Sequence, residues 1–139
     1  MYIGLFSILM GGTVVAAYQL MGSGTRTQNA VQTQEEGTFL NRKINWALTG
    51  ASAVSASGAT LTVTRPDLGA QSPLVISGGS GVMTLMRGGS SATTLNNTSL
   101  QVTNISFTVT PAAYGRPTEV DSSFSVGTMP FTFKTYLRQ

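Results

Sequence analysis

Residues Tyr2 to Met21, YIGLFSILMGGTVVAAYQLM, form an apolar run, and the first charged residue of the chain, Arg26, comes only after it. A helix needs roughly 20 predominantly apolar residues to cross a bilayer core of about 30 Å, and a charge inside that core is expensive. This run meets both conditions, so a fold must place it in lipid or cover it with protein. It is longer than the apolar core of a signal peptide and has no basic residue ahead of it, so a retained helix is expected. Gly4, Gly11, Gly12 and Gly22 interrupt it. Small residues let neighbouring helices approach closely. The Gly11-Gly12 pair is also a soft point, because glycine costs about 1 kcal/mol relative to alanine in a helix interior.

From Thr25 the sequence turns polar but remains helix-permissive. At 3.6 residues per turn, Val31, Phe39, Leu40, Ile44, Ala47 and Leu48 share one broad arc, with Trp46 at its edge and Asn41, Arg42 and Asn45 opposite. Glu35 and Glu36 precede Arg42 and Lys43, the order that complements a helix dipole. Gly50 suits a left-handed cap. The helix is therefore expected to end near residue 49, with Val31, Phe39, Leu40, Ile44 and Leu48 packing it onto the carboxy-terminal part of the chain.

After Gly50 the apolar period changes from 3.6 to 2. Thr60–Thr64 alternates hydroxyls with Leu61 and Val63, and Pro66-Asp67-Leu68-Gly69 makes a turn. Leu74–Ser77 and Val82–Arg87 flank Gly78-Gly79-Ser80-Gly81 as a hairpin, and a short extended piece runs through Thr93–Leu95. Leu100 and Val102 have one parity while Ile105, Phe107 and Val109 have the other, which calls for a bulge near Thr103-Asn104. Pro111 to Ser123 reads as a long loop and Phe131–Leu137 as the last strand, begun after Pro130. The expected fold class is α+β: a long amino-terminal helix, apolar then amphipathic, packed on a small antiparallel β-sheet. Residues 1–24 form the apolar half of the helix, 25–49 its amphipathic half and 50–139 the sheet head, with 25–139 as one globular unit.

Histidine and cysteine are both absent. That removes the commonest general base, the commonest metal ligands and every Ser/His or Cys/His nucleophile, so no catalytic residue and no cofactor is expected. The net charge is only +3. Its eight basic residues are scattered along the sequence, without the clustering that phosphate-backbone binding requires, so nucleic acid is left as an unsupported partner. Asn-Asn-Thr-Ser at 96–99 and Asn-Ile-Ser at 104–106 match glycosylation acceptors, as chance allows in so Ser/Thr/Asn-rich a chain.

This order of elements resembles that of type IV pilins and the pseudopilins of type II secretion. YIGLFSILMGG is similar to the part of the pilin helix just inside the processing site. QTQEEGTFLNRKINWALTGASAVS is similar to the stretch where minor pilins and pseudopilins carry an acidic pair, an aromatic and a basic last turn. LNNTSLQVTNISFTVTP is similar to their closing motif. Prepilins carry a basic leader ending in Gly, then Phe and a nearby Glu. No such junction stands before Tyr2, so the processing site is expected upstream of Met1.

The resemblance implies a structural subunit, a minor pilin or pseudopilin, held in the membrane with its carboxy-terminal domain outside the cytoplasm before assembly into a filament at the cell surface or in the periplasm. Ile3, Leu5, Phe6, Leu9, Val14, Val15 and Leu20 would then form the filament core. The implied partners are membrane lipid, other subunits through this helix, and an inner-membrane assembly machine. Some pseudopilins hold calcium in a loop comparable to the one before the last strand, which makes Glu119 and Asp121 the candidate ligands; calcium takes six to eight oxygens. The alternative is a membrane-anchored recognition or adhesion module that does not assemble, with Tyr114 and Arg116 as exposed contact residues.

Overall fold

A computed structural model describes residues 2–137, apart from the side chains of residues 5 and 20–26. The chain divides into two compact units, Met1–Gln32 and Thr33–Gln139. The described part of the first is helical throughout and belongs to α1, Tyr2–Leu48, which continues without a break through Gly11 and Gly12.

The second unit holds the end of α1 and two antiparallel sheets. Five strands form a meander in the order β1 (Ala53–Ser57), β2 (Thr60–Thr64), β3 (Leu74–Gly79), β4 (Val82–Arg87) and β5 (Thr93–Thr94). Three more form a second meander, β6 (Val102–Thr110), β7 (Glu119–Val126) and β8 (Met129–Tyr136). The single sheet expected from sequence is thus two sheets. The link between β5 and β6 is fastened without extending either ladder: the buried amide of Asn96 accepts from Met83 N–H at 2.8 Å and donates to Leu100 C=O at 2.8 Å.

Turn chemistry explains the hairpins. Ser80 and Gly81 both have positive φ, 53° and 81°, the two-residue turn whose twist matches flanking strands. The register slips by one residue between Thr103 and Ser106, with Asn104 at φ 52°. This is the bulge that the parity conflict in that strand required.

Two strands were hidden in the sequence. β1 is an outer strand of alanines and serines with one valine, too weakly apolar to signal a strand. The long loop expected over residues 111–123 ends at Thr118, because β7 begins at Glu119. Its inward residues are Val120, Ser122, Phe124 and Val126. A serine in the core line and acids at the outward positions mask the alternation; Ser122 is satisfied by donating to Phe133 C=O.

The core lies between the end of α1 and both sheets. Leu40, Ile44, Ala47 and Leu48 join Leu61, Val63, Leu74, Ile76 and Met83 from the first sheet, and Phe107, Val120, Phe124 and Phe131 from the second. Of the helix residues expected to pack, Leu40, Ile44 and Leu48 are buried, while Val31 and Phe39 are 49 % and 41 % exposed. The buried stripe is Gly37, Leu40, Ile44, Ala47 and Leu48; it begins at Gly37, where the helix backbone meets the Phe131 ring, and at about 100° per residue Phe39 and Val31 fall outside it. Asn45, placed opposite the core by sequence, borders it and accepts a hydrogen bond from the Thr135 hydroxyl at 2.6 Å.

Arg65 closes the carboxy-terminal end of α1. It is buried, donates from Nη1 to Trp46 C=O at 2.8 Å and lies 5.2 Å from the Trp46 ring centre. One carbonyl left open at the helix end is thereby satisfied by a cation, which the helix dipole favours. Its charge is balanced by Asp67, which accepts from Nε at 3.0 Å and from Nη2.

Candidate membrane and assembly helix

Within the first unit, Tyr2–Gln19 is long and apolar enough to cross a membrane. At 1.5 Å per residue its 18 residues extend about 27 Å. Every side chain described there is exposed. Ile3, Phe6, Leu9, Val14 and Val15, all expected in an apolar packing surface, are 53–84 % exposed. The side chains of Leu5 and Leu20 lie outside the described residues. Tyr2, Ile8, Met10 and Tyr18 are further exposed members. They were not singled out in the sequence, although the uniform hydropathy of the run already included them.

The aliphatic hydroxyls of this stretch bond back to the helix itself. Ser7 Oγ donates to Ile3 C=O at 2.9 Å, and Thr13 Oγ1 donates to Leu9 and Met10 C=O at 3.0 and 2.9 Å. Hydroxyls satisfied by the preceding turn need no water, so between Tyr2 at one end and Tyr18 and Gln19 at the other, whose polar groups are exposed, the helix presents methyl, methylene and aromatic surface. A helix that is apolar all round belongs in lipid or in a protein core. Added β-carbons at Gly4, Gly11 and Gly12 would meet nothing, leaving shallow places where another helix can come close.

The candidate calcium ligands are arranged otherwise than expected. Glu119 and Asp121 stand on β7, two residues apart on one face of a strand, and Lys134 of β8 bridges them. Its Nζ lies 2.5 Å from Glu119 Oε1 and 3.1 Å from Asp121 Oδ1. These two carboxylates raise the Lys134 pKa above the ordinary lysine value. They are thus already paired with a cation across the sheet, and among the described residues no group of three or more metal-binding side chains occurs.

Tyr114 and Gly115, at φ 50° and 80°, form the tip of a tight turn closed by the Ala113–Arg116 bridge. Tyr114 is fully exposed. A hollow of about 670 Å³ beside it is lined by Pro111, Arg116, Pro117 and Tyr136. Of the glycosylation-type asparagines, Asn96 is buried with its amide fully engaged.

No family model, curated protein or solved structure matches this chain.

Proposed function

We propose that this chain is a structural subunit of a type IV pilus-like or type II secretion filament, a minor pilin or pseudopilin. In this reading it is anchored in the membrane by Tyr2–Gln19, with the sheet unit outside the cytoplasm, until an inner-membrane assembly machine extracts it. The observation that carries the reading is a helix with exposed apolar side chains around its middle turns, the Ser7 and Thr13 hydroxyls satisfied by its own carbonyls, joined to a β-unit with its own core. At roughly 25 cal/mol per Å² of apolar surface, such a helix leaves lipid only for an equally apolar partner. Copies of the same helix are that partner, and the glycines ease close approach. Replacing Tyr2–Gln19 by an unrelated apolar span of equal length tests this. Membrane retention should persist while sheared surface filaments disappear; filaments that survive the swap would refute a role in assembly.

A second reading, an anchored recognition module, is favoured by Tyr114, held at a backbone angle that costs an L-residue about 1 kcal/mol or more with its ring wholly in solvent. In that case the swapped span leaves ligand binding intact and Tyr114→Ala abolishes it.

A further inference from the structure

Cations that look scattered in the sequence converge on one face of the second unit. Phe39, Arg42, Lys43 and Trp46 lie three and four residues apart on α1, which stacks them on one side of the helix, away from Leu40, Ile44 and Ala47 in the core. Arg87, at the end of β4, adds its guanidinium 5.4 Å from the Trp46 ring centre, and Lys43 Nζ lies 5.4 Å from that of Phe39. Both rings stay about two-fifths exposed, with Lys43 over Phe39 and both Arg65 and Arg87 over Trp46, so the uncovered part of Phe39 is the stacking surface left.

Charge on this face is unbalanced. Arg65 is neutralised by Asp67, whereas Arg42, Lys43 and Arg87 have no carboxylate within ion-pair distance among the described residues; Glu35 and Glu36 sit a turn ahead of Phe39, and Glu36 accepts from Asn97 N–H. Cations on a rigid helix and strand end, interleaved with half-exposed aromatic rings, suit a ligand that offers spaced negative charges and flat π surfaces together. Single-stranded nucleic acid has both: phosphates for the cations and bases that stack on aromatic side chains. A sulfated polysaccharide supplies only the charge, and an anionic lipid surface supplies charge and an apolar boundary but no flat π surface.

We infer that the Phe39–Trp46 face of α1, with Arg87, binds single-stranded nucleic acid without base specificity. This inference stands apart from filament assembly, since it uses no residue of the first unit.

Fluorescence anisotropy of a labelled oligothymidylate with the full chain in detergent tests it. With about three phosphates contacted, log K should fall against log salt with a slope of about −2. Arg42→Ala/Lys43→Ala/Arg87→Ala should weaken binding at least tenfold. Phe39→Ala should weaken it by about fivefold or more through lost stacking, with both variants checked for an unchanged melting transition. The inference is overturned if the oligonucleotide fails to bind at low salt or if the triple variant binds like the parent. It is equally overturned if heparin or phosphatidylglycerol vesicles bind as tightly and Phe39→Ala has no effect.

Discussion

A β-carbon built on Gly37 would lie 2.2 Å from Cζ of Phe131, so α1 reaches β8 only because this position has no side chain. The ring cannot simply retreat, because it stacks on Phe124 at 5.6 Å and on Phe133 at 6.2 Å.

Gly37→Ala should therefore destabilise the protein. In a free helix the change would gain about 1 kcal/mol; here overpacking should reverse the sign to a net loss of about 1–3 kcal/mol. Urea denaturation of the single variants and of Gly37→Ala/Phe131→Leu checks it, and the double variant should recover part of the loss.

Asn96→Ala removes the acceptor of the Met83 N–H and the donor to Leu100 C=O. Leaving buried backbone groups unpaired costs about 1–3 kcal/mol, so the melting temperature should drop. Asn96→Asp keeps the acceptor but buries a carboxylate whose second oxygen faces the Leu100 C=O, so near neutral pH it should be at least as destabilising as the alanine variant.

Much of this architecture was legible in the residues. The helix end near Gly50, the β2–β4 strands, the bulge after Thr103 and the burial of Leu40, Ile44 and Leu48 follow from periodicity and turn chemistry, both local properties. What stayed hidden depends on partners distant in sequence. β7 is disguised by Ser122 in its core line, and its acids are made tolerable in a strand by Lys134 on β8. Phe39 looks like a core residue, and Trp46 like one at the core's edge, until the contact of Gly37 with Phe131 shows which side of the helix faces the sheets. The Trp46–Arg65–Asp67 cluster joins residues 19 positions apart that no spacing rule connects. For the apolar run, composition alone marked the surface, whereas Glu119 and Asp121 read as loop ligands only while their strand was unseen.

Stability should depend on pH through Asp67. Hydrogen bonds from Arg65 hold its carboxyl below the ordinary carboxylate value of 3.8. A group with a depressed folded-state pKa contributes stability that is present above the unfolded value and is lost as pH falls through the folded one. Acid unfolding of the parent should thus steepen below about pH 4, and Asp67→Asn should flatten that limb while lowering stability near neutrality. Denaturation midpoints at several acid pH values measure both effects.

Tyr114→Gly should leave stability unchanged or raise it by up to about 1 kcal/mol, since glycine adopts the left-handed angle without the steric cost and the ring has no packing to lose. A thermal melt distinguishes this from the loss expected for a buried tyrosine.

Because the chain has no cysteine, single thiols report contacts between copies without background. Cysteines placed at Phe6, Leu9 and Val14, with a control at Tyr114, and oxidised in cells that assemble the protein, test the central claim most directly. The account predicts disulfide-linked copies through the helix positions in sheared filaments and none through position 114. Helix cysteines that never link copies, in a protein that stays wholly in the membrane fraction, would contradict it.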